Sequence, residues 1–599
     1  MEEEVIGKPY DAKLMRRMIR YLAPYKAQVA IALAFMIANA GLQILGPLLT
    51  KIAIDTYLAP TGANDYARFL PTDPWQGLTR ISLVYLAVIL LTLVCDFFQA
   101  YLMQRTGQFA MFDLRRDLMS HMQRADIAYY DRNPIGRLIT RVTTDVDVLN
   151  ELFSSGLITI MGDVLVLSLI LTVMFRMSPG MTLMLAGATP IVIWITIIFR
   201  NSVQQSYRRI RIAVAKINAY LQEHVTGIAV LQLYNRERKS AGEFEAINRD
   251  HMVAFKDSIF AYGWFYPAVE FLGMTTVALL LAYGGYRVRE GTLTLGVMVA
   301  FFQYGMRFFR PIQDLSEKYN IIQGAMAAGE RVFKLLDTEP AIQAPPQPEQ
   351  LLQPGALEFK NVWFAYKDED WALKDVSFRI EPGETIAVVG HTGAGKTTLT
   401  NLLLRFYDIQ KGSIEIGGVD IRSFTPTTLR RVFSIVLQDP FLFSGTLATN
   451  IRMGTQGIGD EKLRHAAAQV NLLDFVDSLP GGFDYNVRER GAGLSTGQKQ
   501  LINFARALAH DPRYLILDEA TSSVDTETEF KVRDALQHMV QNRTSIIIAH
   551  RLSTIQRASR ILVMHKGRLR EAGTHQQLLA LRGIYWKLYQ LQYKDQEVA

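Results

Sequence analysis

Residues Gly390-His391-Thr392-Gly393-Ala394-Gly395-Lys396-Thr397-Thr398 set glycines, a lysine and hydroxyls in the spacing G-x-x-x-x-G-K-[ST]. Glycines let backbone N–H groups wrap a phosphate chain, and a helix that starts there favours its negative charge. Lys396 then reaches the β and γ phosphates, and Thr397 can ligate magnesium. The apolar run Ile386-Ala-Val-Val389 precedes the loop and a helical Leu399 to Leu404 follows it, which is the strand, loop and helix context this chemistry requires. Downstream, Tyr514-Leu-Ile-Leu-Asp518-Glu519 is an apolar strand ending in two carboxylates. Asp518 is placed to hold Mg2+ and Glu519 to polarise an attacking water. His550 closes the apolar run Ser545 to Ala549, so it can contact the γ phosphate from the same sheet edge. The chemistry is ATP binding and hydrolysis with Mg2+.

Those residues need a sheet to hold them. Strand-like runs at Leu357 to Phe359, Thr385 to Val389, Tyr514 to Leu517 and Ser545 to Ile548 alternate with helical patterns, which predicts an α/β P-loop NTPase nucleotide-binding domain. Before it, TEPAIQAPPQPEQLLQPG from Thr338 to Gly355 is proline-rich and favours an extended connector. The expected organisation is therefore residues 1–337, a linker at 338–355, and the nucleotide-binding domain at 356–599.

The first part is of another kind. A membrane span needs roughly 20 mainly apolar residues. Val29 to Leu49, Ile81 to Met103, Leu157 to Phe175, Met181 to Phe199 and Ile259 to Gly285 meet that length, and Leu293 to Met306 is a weaker sixth run. A membrane all-α domain of six helices is expected. Asp96, Asp163 and Glu270 interrupt three of the runs, at about 2.5 to 3.5 kcal/mol each on insertion scales, so they should face a cavity or a partner, either binding a cationic substrate or pairing helices and sitting near the interface. Aromatic and methionine residues in the spans, including Trp264, Phe265, Tyr266 and Phe301, could make an apolar pocket, but most are expected to face lipid. Arginines crowd the loops between runs two and three and between four and five, which puts those loops and both termini in the cytoplasm. Arg307 and Arg310 are expected to mark the cytoplasmic end of the last run. Gln108 to Gln123 and Gln204 to Glu223 read as helices continuing past the bilayer, and Asn133-Pro-Ile-Gly136 interrupts the first loop, with a short helix Arg137 to Arg141 at its tip. Residues 10–22 read as an interfacial amphipathic helix. The start lacks a secretory cleavage pattern, so the first span is expected to remain in the mature protein.

Composition fits this partition. The 599 residues are 49% hydrophobic yet 20% charged, with mean hydropathy +0.10. The net charge of +7 lies largely beside the apolar runs, which argues against nucleic acid as a partner. The single cysteine, Cys95, excludes a disulfide framework and a cysteine metal site.

One more motif, Leu494-Ser495-Thr496-Gly497-Gln498, precedes the helical run Lys499 to Ala509 shortly before the acidic strand. With the P-loop, the acidic strand and the preceding spans, the chain resembles the ATP-binding cassette (ABC) transporter family of exporter type over essentially its whole length. The resemblance implies that Tyr366, in Phe364-Ala-Tyr366, stacks on adenine and that Gln438, in Leu437-Gln438-Asp-Pro440, links magnesium to the membrane domain. It makes Ser522-Ser-Val-Asp525 the D-loop, and Arg488-Glu-Arg-Gly491 the segment that meets the inner loops. The interrupted first loop and Gln222 to Glu237 become coupling helices. It also implies that ATP lies between the P-loop of one cassette and the signature of another, with Ser495 and Gly497 donating to the γ phosphate. A second half-transporter is then the required partner, either an identical chain or a related one. Thr496 departs from the glycine of the commonest signature. The activity implied is ATP-driven export of an amphipathic, drug-like or lipid-like small molecule across a bacterial inner (plasma) membrane, with the ATPase domain cytoplasmic; the alternative is an ATP-gated regulator, a channel or an importer on the same scaffold.

Overall fold

The computed structural model describes residues 11–60, 70–349, 355–518, 526–548 and 555–597. It divides into two compact units, one of residues 1–123 and 135–338 and the other of 124–134 and 339–599.

The first unit is helical. Its elements and the short helix that leaves it are α1 Ala12–Arg20, α2 Lys26–Ala53, α3 Pro74–Arg124, α4 Ile127–Arg132, α5 Ile135–Val142, α6 Thr144–Glu151, α7 Leu157–Met177, α8 Pro179–Thr226, α9 Ile228–Leu233, α10 Glu237–Arg289, α11 Leu295–Phe308 and α12 Arg310–Leu336. Among the described residues, five helical stretches are long and apolar enough to cross a membrane: Ala23–Leu58, Pro74–Arg124, Ile135–Met177, Pro179–Thr226 and Glu237–Arg289. The sixth apolar run forms α11, whose 14 residues reach only about 21 Å at 1.5 Å per residue. The chain breaks at Phe309 and resumes as α12, where Pro311 removes a backbone donor from the ladder. The expected helical continuations past the bilayer are present, since α3 runs on to Arg124 and α8 to Thr226.

Packing explains which apolar residues turn inward. Phe199 of α8 stacks on Phe265 of α10 with centroids 3.9 Å apart, and Tyr304 of α11 donates to the Ile44 carbonyl of α2 at 2.7 Å. Phe265 and Phe301 are buried core residues, whereas Tyr266 is exposed, so the aromatic residues of the spans split between packing and the periphery. The apolar face of α1 carries the buried Met15 and Met18. A Cβ at Gly329 would lie 3.0 Å from the Met18 sulfur, so that face packs on α12. Arg17 fixes the same contact with two 2.6 Å bonds to Asp337 and by lying 4.3 Å over the Phe333 ring. Arg307 corrects the sequence reading. Its Nη1 donates to the Gln43 carbonyl at 2.8 Å, well inside the span of α2 rather than at a cytoplasmic end. The first loop also differs. Helix α5 covers the expected Arg137 to Arg141, but the segment that joins the cassette unit is residues 124–134, which hold α4.

The second unit contains β1 Leu357–Ala365, β2 Trp371–Ile380, β3 Thr385–Val389, β4 Lys411–Ile416, β5 Val419–Asp420, β6 Phe433–Val436, β7 Gly445–Thr446, β8 Asn486–Val487, β9 Tyr514–Asp518, β10 Thr544–Ile548, β11 Arg560–His565 and β12 Arg568–Gly573. Six of them form one sheet in the order β12-β11-β3-β10-β9-β6, parallel except for β12. The strands β2-β1-β4-β5 form a separate antiparallel sheet. In β3, Ile386 and Val388 join one apolar cluster and Ala387 and Val389 the other, so both faces of the large sheet are covered. That is why its strands read as unbroken apolar runs rather than alternating ones.

One buried carboxylate ties two ends of the membrane unit together. Asp55, 4% exposed, accepts from Thr294 Oγ1 and from the Gly296 backbone N–H, each at 2.8 Å, with Lys51 Nζ at 3.3 Å. It therefore anchors the first turn of α11 to the end of α2. Asp55→Ala is expected to destabilise the membrane unit by about 1 to 3 kcal/mol. Thermal scanning of the purified chain should show the transition of the membrane unit moved to lower temperature while nucleotide affinity stays at the wild-type value.

Candidate nucleotide site

Parallel pairing gathers the site. Ile548 of β10 lies opposite Val388 of β3 on one side and Asp518 of β9 on the other, and Val436 of β6 lies opposite Leu517. Four strand ends thus reach one edge. The P-loop leaves β3 there, Asp518 ends β9 there, and Gln438 follows β6 by two residues and is exposed. Glu519, His550 and Ser522 to Asp525 lie outside the described residues, although β9 ends immediately before Glu519 and β10 two residues before His550.

The loop is built from conformations that side chains resist. Gly393 has φ +79° and Gly395 φ +102°, and a Cβ on Gly395 would meet Leu373 Cδ2 at 2.7 Å and the Ala372 carbonyl at 3.0 Å. Only glycine suits that close approach. Lys396 is 7% exposed, and its Nζ donates to the carbonyls of Gly390 at 2.6 Å and His391 at 3.2 Å. The lysine arches back over the loop and holds its positive charge within the turn. Ala394 is buried, whereas His391, Thr392 and Thr397 are exposed. The helix Lys396–Leu403 begins at this loop, so its N-terminal backbone dipoles add to the lysine charge. An anion of phosphate type is what this arrangement favours.

Tyr366 joins the loop from the end of β1. Its hydroxyl donates to Thr398 Oγ1 at 3.2 Å while its ring remains 41% exposed. The same ring meets Tyr407 edge-on, with centroids 5.1 Å apart. Tyr407 in turn donates to the carboxylate of Asp131 on α4. Burial first, and then the neighbouring Asp131, push the Tyr407 hydroxyl well above the ordinary phenol range, so it keeps its proton and remains a donor at neutral pH. Asp126 holds the other end of α4. One carboxylate oxygen caps the helix by accepting from the Tyr129 N–H at 3.0 Å, and the other accepts from Ala341 N–H in the linker at 2.7 Å. P-loop, β1, linker and α4 are therefore joined by named polar and ring contacts.

The signature stands at a second helix N-terminus. Ser495 caps the helix Thr496–Ala509 in a reciprocal arrangement, its Oγ accepting from Gln498 N–H at 3.2 Å while its own N–H donates to Gln498 Oε1 at 2.9 Å. Because the Ser495 oxygen is the acceptor, its proton is left for an acceptor outside the helix. Ser495 and Thr496 are exposed and Gly497 is buried. In Arg488-Glu-Arg-Gly491, Gly491 has φ +68° and a Cβ there would lie 3.0 Å from Leu442 Cδ1, which fixes glycine at the end of that segment.

Sequence reasoning missed two positions here. Arg506, on the signature helix, donates to the Phe441 carbonyl at 3.1 Å and to the Asn450 carbonyl at 2.8 Å, which ties the tail of the Gln438 segment to that helix. Burial lowers the affinity of its guanidinium for its proton, yet an arginine stays charged. Tyr407 was the other. Its signal was the Asp126-to-Asn133 stretch, a capping acid and a Pro-stopped turn that delimit a six-residue helix needing a partner surface.

Comparison with known proteins agrees with this geometry. Residues 29–312 match the family described as "ABC transporter transmembrane region", and residues 373–522 match "ABC transporter". The chain is 36% identical to an uncharacterized ABC transporter ATP-binding protein, YknV, of Bacillus subtilis (strain 168), across 99% of this chain and 96% of the relative. It is 34% identical to an ATP-dependent lipid A-core flippase of Syntrophus aciditrophicus (strain SB), across 98% of this chain and 95% of that one. A solved bacterial Atm1-family ABC exporter with ATP bound matches with a TM-score of 0.79 and 27% identity, covering 95% of this chain and 99% of the other. The chain therefore belongs to the ABC transporter family, as a multi-pass membrane half-transporter of exporter type whose cytoplasmic cassette couples ATP hydrolysis to transport.

Proposed function

We propose that two copies of this chain assemble into an exporter that moves an amphipathic, lipid-like or drug-like molecule across the membrane, with ATP held between the P-loop of one cassette and the signature of the other. The observation that carries this reading is the pair of anion-ready helix N-termini in a single cassette. Lys396–Leu403 follows the P-loop, and Thr496–Ala509 presents the exposed Ser495 with its hydroxyl proton unused by the cap. Tyr366 supplies the adenine platform; Gly390, His391, Thr392, Gly393, Ala394, Gly395, Lys396 and Thr398 surround the phosphates. Thr397, Gln438 and Asp518 would hold Mg2+, which would supply charge neutralisation at the phosphates, while Glu519 would orient the water and His550 would contact the γ phosphate. Ser495, Thr496, Gly497 and Gln498 complete the site from the partner. Since one chain carries both a P-loop with its acidic strand and a signature, an identical partner suffices. The lipid-like cargo is supported by the likeness to the lipid A-core flippase.

Coupling follows from the contacts of α4. A change at the adenine side moves Tyr366, which bears on Tyr407 and through it on Asp131. Helix α9 (Ile228–Leu233), with Val230 and Leu233 exposed, is the second coupling element and is proposed to meet the partner's cassette.

The decisive experiment reconstitutes the purified chain alone in proteoliposomes and follows ATP hydrolysis beside flux of candidate amphiphiles. Glu519→Gln should lose at least 100-fold in hydrolysis while binding ATP as wild type does; unchanged turnover would remove Glu519 from its role. A wild-type chain that hydrolyses only after a related chain is added would replace the homodimer with a heterodimer. Gly395→Ala, which forces a side chain into the φ +102° position against Ala372, should weaken binding of a fluorescent ATP analogue more than 10-fold. Tyr407→Phe keeps the ring contact and removes the bond to Asp131, so hydrolysis should stay within about 2-fold of wild type while transported molecules per ATP fall several-fold.

A further inference from the structure

Strand β1 outlasts one of its neighbours. Its last pairing with β4 sets Trp363 opposite Lys411, yet the strand continues to Ala365 and leads directly into Tyr366, the proposed adenine platform. In an antiparallel ladder alternate residues turn both backbone groups towards the same neighbour, so Trp363 and Ala365 both look towards β4. Trp363 is served there, its carbonyl accepting from the Gln410 backbone N–H at 3.2 Å. Ala365 is 4% exposed and has no residue of β4 opposite it. Buried backbone groups left without partners are costly.

The side chain of Gln410 takes the place of the missing strand. Its Oε1 accepts from Ala365 N–H at 3.1 Å and its Nε2 donates to the Ala365 carbonyl at 2.9 Å. Because that N–H can only donate and that carbonyl can only accept, the carboxamide has one orientation here. A single primary amide thus reproduces the pair of bonds that a neighbouring strand would make. The residue it holds is one peptide away from Tyr366, whose ring is met edge-on by Tyr407 at 5.1 Å and by Phe364 at 4.8 Å. Tyr407 and Gln410 belong to the same turn into β4, so one short segment steers the ring and fixes the backbone that carries it.

We propose that Gln410 is the positioning residue for the nucleotide base: its carboxamide locks the Ala365 backbone so that Tyr366 presents its ring in one direction, and it thereby sets how much of the affinity comes from the base rather than from the phosphates. The assignment rests on the adenine platform of the reading above and adds the residue that aims it. An ordinary structural role would weaken every ligand of the cassette alike, whereas a positioning role acts on the base alone.

Displacement of a fluorescent ATP analogue from the full chain by ADP and by inorganic pyrophosphate, which has no base, separates these effects. Gln410→Leu should weaken ADP about 3-fold or more and leave pyrophosphate within about 1.5-fold of wild type, the pyrophosphate value serving as the check that the P-loop is folded. Gln410→Glu, which keeps the acceptor and loses the donor, should lie between Gln410→Leu and wild type. Added to Tyr366→Ala, Gln410→Leu should cost ADP less than about 1.5-fold more, because residues that act as a unit do not add. A Gln410→Leu chain that binds ADP as wild type does, or that loses ADP and pyrophosphate equally, overturns the proposal, as does full additivity with Tyr366→Ala. If Gln410→Leu does not fold, the same criteria apply to Gln410→Glu. Failure of the adenine platform shows separately: a Tyr366→Ala chain with the wild-type ratio of ADP to pyrophosphate affinity removes the platform, and the role of Gln410 with it.

Discussion

Parallel register in the large sheet is the constraint on which the rest depends. Because β3, β10, β9 and β6 run in one direction, their C-terminal ends reach the same edge, and strands far apart along the chain finish side by side. Antiparallel pairing of any one of them would send its motif to the opposite edge. The arrangement is held by burial on both faces: Ile386, Val388 and Ile516 fill one cluster and Ala387, Leu515 and Leu517 the other. Each fully buried aliphatic side chain contributes about 1.5 to 3 kcal/mol, so the strand ends are placed by core packing and not by the polar residues they display. The phosphate chemistry can then afford left-handed glycines and a lysine folded back on its own loop.

The segment 124–134 extends that logic. It enters from α3 and leaves into α5, both in the membrane unit, yet its own contacts are with the cassette. Six residues make a helix too short to be stable alone. What keeps α4 formed is its caps, Asp126 at one end and Asn133, whose side chain donates to the Tyr129 carbonyl at 2.9 Å, at the other. Asp126 caps the helix and binds the linker with different oxygens, so forming α4 and seating it are one event. Tyr407 adds the link to Tyr366. A short helix with no independent stability is well suited to report on the surface that holds it.

How much of this was legible in the sequence depended on periodicity and on locality. The apolar runs, the P-loop, the acidic strand and the signature each occupy consecutive residues, and the elements that carry them are present as read. Arg307 was misread because a charge after an apolar run looks like an interface marker; its actual partner, the Gln43 carbonyl, is distant in sequence and is a backbone atom that no side-chain pattern reveals. Phe265 and Phe301 gave no sign of facing inward, since spans that are apolar all round show little periodicity. The tip of the first loop was shifted by a few residues for a related reason. Asn133-Pro134 marks a break but does not say which side of it the cassette holds, and that is decided by Asp131 and Asp126 meeting Tyr407 and Ala341.

The break between α11 and α12 links these features along the covalent chain. Arg307 and Pro311 both line a cavity of the membrane unit, and the helix is interrupted between them at Phe309. A proline that removes one ladder bond makes this the place where the last span can bend at least cost. Beyond it, α12 runs unbroken to Leu336 and passes into the linker, which is pinned to the cassette by Arg405 donating to the Gln343 carbonyl at 3.3 Å and by Glu349 N–H donating to the Ser423 carbonyl at 3.0 Å. Arg405 is itself 4% exposed and braced by Asp408 and the Phe424 carbonyl. The linker is thus fastened to the cassette, and α12, which runs into it, is set off from α11 by the break at Phe309. In this chain the helix that carries Arg307 and the helix that runs into the linker are consecutive and separated by one residue.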